Sequence, residues 1–334
     1  MGFIDKYTGK LRTYKAVYTL NNILQYKKLK HNKALYKKYK LDQSIYSPIS
    51  SSILKQLPPQ PSPWLDAPDA AQKLKVSQQL EQFAQELQGK IKAWPDNGFL
   101  SLEGFFGEEE VDKVNTEIDK LLESHKVDFN YTNKKIMFAF RHSEALKAIL
   151  YTPALTSILE FILGRQVIPF QTINFIKGSE QLAHSDSIHM TTHPLGNLIA
   201  VWIALEDTDK SNGPLFYYPG SHKLPYILND NFEGGNTKYR IGDFVYKKYE
   251  EKVQQVVKEE QLQKKTFYAK KGDVFIWHAN LLHGGSPVLN PESTRKSMVI
   301  HYYAKDVICY HEITQRPALI SNYPISEVQV IEMD

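Results

Sequence analysis

Six short segments after residue 164 constrain the fold of this chain more than any other feature. They are rich in β-branched and aromatic residues, and Gly, Pro, Asn or Asp bound them. The segments are 167–176, 197–205, 215–218, 265–269, 273–277 and 295–303. Because no regular helices are predicted between them, they favour an antiparallel sandwich or barrel over a doubly wound parallel sheet. Neither GxGxxG nor GxxxxGK[ST] occurs, so nucleotide-binding folds have no local support.

The first sixty residues differ from the rest of the chain in charge. They hold twelve Lys or Arg against two acids, Asp5 and Asp42, whereas the formal net charge of the whole chain is +4. The remainder is therefore acidic, and no uniform surface for nucleic acid is expected. Apolar residues at helical spacing over 7–46 predict a basic helical extension, residues 1–57. We expect it to pack on the main body with its lysines in solvent, and the alternative is surface contact with a partner or an anionic surface.

Proline marks the junction between this extension and the main body. Five prolines between residues 58 and 68 predict an extended linker at 58–69. Helical patterns follow at 70–92, 108–125 and 143–163, and a polar, partly helical insert interrupts the strands at about 224–263. Residues 70–334 are therefore expected to form one domain, mainly β with flanking helices.

Composition narrows the setting in which the chain works. The single cysteine, Cys309, excludes a disulfide framework and a cysteine-based zinc site within one chain. No apolar run approaches the ~20 residues that a membrane span requires, and the first residues lack the apolar region of a signal peptide. We expect a cytoplasmic protein with no transmembrane segment, whose oligomeric state cannot be predicted from the sequence.

The motif with the most chemical content is His184-Ser185-Asp186. In an extended chain, alternate side chains share a face, so His184 and Asp186 point the same way. An imidazole nitrogen beside a carboxylate oxygen offers two ligands to a metal. A second histidine would complete the 2-His-1-carboxylate set of a non-haem Fe(II) site, which leaves three coordination positions open.

Two histidines compete for the place of third ligand. Both His278 and His283 lie on or after the predicted strand that rises from the Gly272-Asp273 turn. Gly284 and Gly285 directly follow His283. Because glycine has no side chain, both the backbone and a cosubstrate could come close to a metal at this position. We therefore favour His283.

Arg295 lies twelve residues beyond His283 and shares a strand face with Ser297. A guanidinium binds a carboxylate through two parallel hydrogen bonds, and a nearby hydroxyl adds another donor. If the metal is Fe(II), a dicarboxylate keto acid could chelate it at one end and pair with Arg295 at the other.

In their order along the chain, these motifs resemble the phytanoyl-CoA dioxygenase family. The resemblance covers about 94–310 and is strongest from 184 to 301. The stretches that carry it are His184–His189, 197–205 with Trp202, 206–215, Tyr218–Lys223, the Gly272-Asp273 turn, His283-Gly284 and Arg295. Their ordered combination is far more specific than any one of them.

The resemblance implies a double-stranded β-helix core (jelly-roll, cupin-like) that binds Fe(II) and 2-oxoglutarate and reacts with O2. It implies a dioxygenase that hydroxylates a small-molecule or lipid-like substrate and releases succinate and CO2. By this resemblance His184, Asp186 and His283 are the iron ligands and catalytic residues, and Arg295, Ser297 and Trp202 bind the cosubstrate. Arg141 is the candidate for a further basic residue that assists the cosubstrate.

Other functions are open on the sequence alone. The alternatives are a non-catalytic jelly-roll binding protein and a cupin-like enzyme that does not use 2-oxoglutarate. Halogenating relatives carry a small residue where this chain has Asp186, so the resemblance predicts oxygen insertion or desaturation. The following residues are candidates for lining or capping a substrate pocket: His189, His193, Tyr217, Tyr218, Phe232, Tyr239, Phe244 and Tyr246.

Overall fold

The structure is a computed structural model that describes residues 13–130 and 132–321. Twelve strands lie within these residues: β1 (Phe99–Leu102), β2 (Ile136–Met137), β3 (Val167–Phe175), β4 (Thr191–His193), β5 (Leu198–Ala204), β6 (Leu215–Tyr217), β7 (Lys265–Phe267), β8 (Val274–His278), β9 (His283–Gly285), β10 (Ser297–Ala304), β11 (Ile308–His311) and β12 (Arg316–Pro317). All pairings between them are antiparallel, as predicted.

The strands form three sheets. The largest has the order β1-β8-β5-β10-β3-β2, and the other two have the orders β7-β6-β9 and β12-β11-β4. A backbone bridge between His184 and His283 extends the β7-β6-β9 sheet by one short pairing. This bridge places the predicted metal-binding segment beside β9.

The central strand β5 is buried along its whole length, so its two faces contribute to two cores. Val201 and its alternate neighbours pack against the flanking helices, while Trp202 points into the space between the sheets. There it meets Phe275 and Val299 from the neighbouring strands β8 and β10 and Leu215 from the opposite sheet. Burying a side chain of this size contributes about 1.5–3 kcal/mol to stability. Because successive side chains on each strand point alternately to the two cores, the sheets pack as a mainly β sandwich.

Ten α-helices flank the sheets within the described residues. They are α1 (Lys15–Leu24), α2 (Asn32–Lys38), α3 (Ser51–Leu54), α4 (Ala70–Lys75), α5 (Gln85–Lys92), α6 (Trp94–Asn97), α7 (Glu108–Glu123), α8 (Glu144–Leu150), α9 (Pro153–Leu163) and α10 (Val245–Glu259). Three predicted helices are divided within the described residues: the helix at 70–92 into α4 and α5, the helix at 7–46 into α1 and α2, and the helix at 143–163 into α8 and α9. The helix predicted at 143–163 is interrupted before Pro153, whose ring disfavours helical backbone in the preceding residue. The helix expected over 7–46 includes 7–12, which lie outside the described residues.

One stretch of the described chain, Glu144–Leu163, is long and apolar enough by length and composition to cross a membrane. Half of its apolar window is buried inside the protein. Leu146, Leu150, Leu155 and Leu159 all pack in the main hydrophobic core with residues of the largest sheet. This pattern of burial is typical of helices that pack on a sheet in the core of a protein.

The N-terminal helices pack on the outside of the β12-β11-β4 sheet. Leu29 and Tyr36 share a small core with Tyr310 of β11. The buried carboxylate of Glu312 fixes this contact, since it accepts hydrogen bonds from Ser51 N (3.1 Å), Ser51 Oγ (2.5 Å) and Asn229 N (3.2 Å). Burial raises the pKa of Glu312. One carboxylate thus joins the extension, the insert and the chain after β11.

Candidate active site

Two histidines face each other across a short backbone pairing. His184 N donates to His283 O, and His283 N donates to His184 O, both at 3.0 Å. The pairing brings their ring centroids to 4.5 Å. Because the two residues are ninety-nine positions apart in sequence, only the sheet arrangement brings them together.

Asp186 completes a cluster with these two histidines. Its Oδ1 lies 4.0 Å from His184 Nε2 and 3.8 Å from His283 Nε2, and one ligand atom from each residue lies within 4.8 Å of the others. Ser185 between them is extended, so His184 and Asp186 share a side as predicted, but Asp186 begins a short 3-10 turn rather than continuing a strand. Tyr249 of α10 supports this bend, since its hydroxyl accepts a hydrogen bond from Ser185 N at 2.8 Å.

The tautomers of both histidines are fixed by their own backbone. Each Nδ1–H donates at 2.9 Å to the carbonyl two residues earlier, Leu182 for His184 and Leu281 for His283. The Nε2 lone pairs are therefore directed toward Asp186 and a shared space. Burial lowers the pKa of His184 and of His283, so both rings are neutral, the form that binds a metal.

The second oxygen of Asp186 is held by two residues that the sequence analysis did not assign. Trp277 Nε1–H donates to Asp186 Oδ2 at 2.8 Å, and His301 Nε2 lies 3.4 Å from the same oxygen. Burial alone would raise the pKa of Asp186, but His283 and His301 hold it well below its ordinary value. The carboxylate therefore stays ionised, with Oδ1 facing the histidines.

Arg295 lies at the other end of the same interior. Its guanidinium is buried, donates to Ser297 Oγ at 2.7 Å, and has its Cζ 5.7 Å from the Trp202 ring centroid. Within the described residues, its Nε has no hydrogen-bond partner. Burial lowers the pKa of Arg295 to about 10, which still leaves it charged at neutral pH. A buried guanidinium with an unsatisfied donor is a receptor for an anion.

Two basic residues near β2 line the cavity, the predicted Arg141 and also Lys135. Arg141 lies over the Phe138 ring at 3.9 Å, and its role toward the cosubstrate stays a prediction. Lys135, immediately before β2, donates to Gln181 Oε1 at 3.0 Å, and Gln181 Nε2 is 3.2 Å from His184 Nε2. Lys135 precedes a strand of two residues, which is too short to be predicted from its sequence pattern.

One cavity of about 660 Å³ connects these groups. The residues singled out from the sequence that line it include His184, Asp186, His283, Gly284, Arg295, Trp202, Arg141 and His189. Ser297 reaches it through its hydrogen bond to Arg295. A cavity of this size admits a keto acid together with a further small molecule.

Several other candidates serve the scaffold. His278, the rival third ligand, pairs with Asp66 of the Pro-rich linker at 3.1 Å, and its Nδ1 accepts from Asn280 N. Gly284 lines the cavity, and a Cβ at this position would meet the Gln181 carbonyl and the Phe216 ring, so the close backbone approach here requires glycine.

Most of the substrate-pocket candidates do not line the cavity. Of the eight aromatic and histidine residues proposed, His189 is the one found among the described residues that line the cavity. Tyr217 packs on Phe275 inside the β sandwich, whereas Tyr239 and Phe244 are exposed. Side-chain type alone does not distinguish core, surface and pocket aromatics.

The residues present fit an iron site with an organic anion beside it. Two neutral imidazole nitrogens and one ionised carboxylate oxygen form the donor set of non-haem Fe(II) sites with open positions. A separate observation supports the organic anion: the Nε of Arg295 has no hydrogen-bond partner among the described residues, and a carboxylate of the bound anion would pair with it.

Comparison with known proteins identifies the class. The family model for phytanoyl-CoA dioxygenase (PhyH) matches residues 94–297, more than half of the chain. The chain therefore belongs to the phytanoyl-CoA dioxygenase family. It is 23% identical to the peroxisomal phytanoyl-CoA dioxygenase of Rattus norvegicus over 258 residues, which cover 68% of this chain and 72% of that protein. It is 22% identical to phytanoyl-CoA dioxygenase domain-containing protein 1 of Danio rerio over 250 residues, 58% of this chain and 82% of that protein.

Solved structures share the fold at lower identity. The non-haem α-ketoglutarate-dependent carbocyclase SnoK from nogalamycin biosynthesis is 16% identical with a TM-score of 0.57, over 74% of this chain and 96% of that one. The epimerase SnoN, solved with Fe3+, α-ketoglutarate and nogalamycin RO, is 18% identical with a TM-score of 0.53, over 73% of this chain and 92% of that one. The double-stranded β-helix core with flanking helices is thus confirmed. The chain is an Fe(II)- and 2-oxoglutarate-dependent oxygenase that uses O2.

Proposed function

We propose that His184, Asp186 and His283 hold Fe(II), and that Arg295 with Ser297 binds the distal carboxylate of 2-oxoglutarate. The enzyme then hydroxylates a small-molecule or lipid-like substrate and releases succinate and CO2. The observation that carries the proposal is one shared cavity. It contains three ligand atoms within 4.8 Å of one another and a buried guanidinium whose Nε has no partner among the described residues.

Each side chain has a definite task in this proposal. The carbonyls of Leu182 and Leu281 keep the two imidazoles in the tautomer whose Nε2 faces the metal. Trp277 orients Asp186 so that Oδ1 is the ligand oxygen. Bound Fe(II), together with 2-oxoglutarate and O2, would supply the oxidising power for C–H hydroxylation. The protein positions the reactants and excludes water from the buried end of the cavity.

The charge of the cavity lining indicates the kind of substrate. Lys28, Lys135, Arg141 and Arg316 line the cavity, and Asp186 is the one carboxylate among its described lining residues. Apolar side chains, including Met137 and Phe170, line it as well. We infer that the substrate combines an anionic group with an apolar body, because opposite charge and buried apolar area favour such a molecule.

Succinate formation tests the proposed reaction. The purified chain is incubated with Fe(II), 2-oxoglutarate and O2, and succinate is measured by mass spectrometry. We expect formation that depends on added Fe(II) and is lost in His184→Ala. His142→Ala is the matched control, since His142 is exposed. Full activity in His184→Ala would contradict the assignment of the ligands.

Matched compounds test the substrate class. Medium-chain carboxylic acids are compared with their methyl esters for their ability to stimulate succinate formation and O2 uptake. We expect the acids to stimulate more strongly, and equal stimulation by the esters would contradict the inference about charge. A cytoplasmic location stays a prediction from the sequence.

A further inference from the structure

Helix α1 exposes an apolar face that nothing in the described chain covers. Val17, Leu20, Ile23 and Leu24 are 39%, 61%, 47% and 75% exposed. At 3.6 residues per turn these positions fall on one side of the helix. The opposite side is anchored, since Lys15 is buried and its Nζ donates to Gln315 Oε1 (2.7 Å) and to the Thr237 carbonyl.

The insert pairs with the backbone at the start of the helix. Lys15 N donates to Tyr239 O at 2.9 Å, and Ile241 N donates to Thr13 O at 2.7 Å. In this pairing Tyr14 lies opposite Arg240, and Tyr14 and Tyr239 are 50% and 71% exposed. We call Val17, Leu20, Ile23 and Leu24 the apolar patch.

The chain beside the patch is strongly basic. Between residues 13 and 41 there are eight lysines and no acidic residue. Six of these lysines are exposed: Lys27, Lys30, Lys33, Lys37, Lys38 and Lys40. Exposed apolar side chains with lysines alongside are the composition of helices that lie in the headgroup region of anionic membranes.

The lysines also favour a lipid surface over a protein as the binding partner of the patch. Lysine is depleted in the buried part of protein–protein interfaces, because its ammonium is costly to desolvate and its side chain is costly to order. At a bilayer the same lysines remain hydrated among the phosphates while the apolar side chains enter the headgroup boundary. Lysine-rich flanks therefore favour the bilayer as the occupant.

The patch lies close to the cavity. Arg316, which lines the cavity, has its Cζ 5.4 Å from the ring of Tyr18 on α1. Lys28, in the turn that follows α1, lines the cavity too. A surface that docks on α1 would therefore lie close to residues that line the cavity.

We propose that the apolar patch and the exposed lysines after it bind the enzyme reversibly to anionic lipid bilayers. Helix α1 lies in the headgroup region with Leu20 and Leu24 turned toward the acyl chains, and the lysines contact lipid phosphates. This docking depends on the surface alone, so it stands or falls separately from the reaction proposed for the cavity.

Vesicle sedimentation tests the proposal with the full-length chain. Phosphatidylcholine vesicles are compared with vesicles that also contain phosphatidylserine. We expect binding to the anionic vesicles to be at least about tenfold tighter, because several exposed lysines would lie near the negatively charged surface. Both Leu20→Glu/Leu24→Glu and Lys27→Glu/Lys30→Glu should reduce that binding at least about tenfold. Leu289→Glu is the matched control, since Leu289 is 70% exposed in the loop after β9, and its binding should equal that of the wild type.

Three results would overturn the proposal. They are failure of the wild type to sediment with anionic vesicles, binding of the Leu20→Glu/Leu24→Glu variant equal to that of the wild type, and a dimer in light scattering that this variant dissociates. The last result would assign the patch to a second copy of the chain. Circular dichroism and iron-dependent succinate formation of each variant report its folding, and a wild type that binds vesicles but forms no succinate would refute the proposed reaction alone.

Discussion

The inner and outer ends of the cavity are built in different ways. The inner end consists of buried residues on or beside β8, β9 and β10, where His283, Arg295 and the 184–186 segment converge. We call the less buried part of the lining the outer end; it includes Lys28 from the N-terminal extension and Arg316 of β12. The family model spans 94–297 and includes neither of these two residues. The family model therefore covers the candidate iron ligands and Arg295 but not these two cations.

The largest effect on this comparison is expected at Arg295. Arg295→Gln should raise the KM for 2-oxoglutarate about 30-fold or more, because a buried charge-assisted pair is worth about 2 kcal/mol or more. Steady-state kinetics of succinate formation at saturating Fe(II) provide the measurement. Arg295→Lys keeps the charge without the planar donor pair and should be intermediate. An unchanged KM in Arg295→Gln would place the keto acid elsewhere.

Orientation of Asp186 should have the next largest effect. Trp277→Phe keeps an aromatic ring but removes the Nε1–H that holds Asp186 Oδ2. Loss of a residue that orients a metal ligand typically costs 10–100-fold, so we expect Fe(II) affinity to fall about tenfold. The measurement is an Fe(II) titration of activity. Trp64→Phe serves as control, since Trp64 Nε1 donates to the Phe161 carbonyl far from the iron ligands. Equal losses in both variants would indicate general destabilisation.

The outer end depends on the attachment of the extension. Ser51→Ala removes one hydrogen-bond donor from the buried Glu312 carboxylate. We expect the free energy of unfolding to decrease by about 1–3 kcal/mol, the cost of leaving a buried acceptor unsatisfied. Urea denaturation measures it, with Ser52→Ala at an exposed neighbour as control. If both variants matched the wild type, Glu312 would contribute nothing to holding the extension.

The smallest effect concerns pH at the outer end. Burial lowers the pKa of His311 to about 3, whereas the unfolded chain has the ordinary value near 6.5. Below pH 6.5 the unfolded state therefore binds more protons, and stability decreases as pH falls toward 3. His311→Asn should remove at most about 2 kcal/mol of the stability loss between pH 7 and pH 5. Urea denaturation at the two pH values measures this, and an unchanged pH dependence would contradict the assignment.

Sequence reasoning worked where chemistry restricts residue types to a short pattern. His184 and Asp186 could be predicted to share a site because one extended residue separates them. Arg295 could be predicted to act with Ser297 because the two share a strand face. His301 could have been found in the same way, since it continues the alternation that runs through Ser297. Strands of five or more residues were also predictable from their β-branched and aromatic composition.

Contacts between distant parts of the chain could not be predicted. Nothing in the local sequence of Tyr249 indicates that its hydroxyl supports Ser185 sixty-four residues away. The approach of Lys28 and Arg316 to one cavity likewise depends on how the extension packs on β11. Tertiary packing determines which distant residues meet, and the periodicity of a single sequence does not indicate these contacts.

The central claim is that two imidazoles and one carboxylate hold iron while Arg295 holds the keto acid. The most direct measurement is an anaerobic titration with Fe(II) in the presence of 2-oxoglutarate, monitored by the visible absorbance of the iron–keto acid chelate. We predict one chelate per chain in the wild type and none in Asp186→Ala or His283→Ala. An undiminished chelate absorbance in those variants would contradict the account.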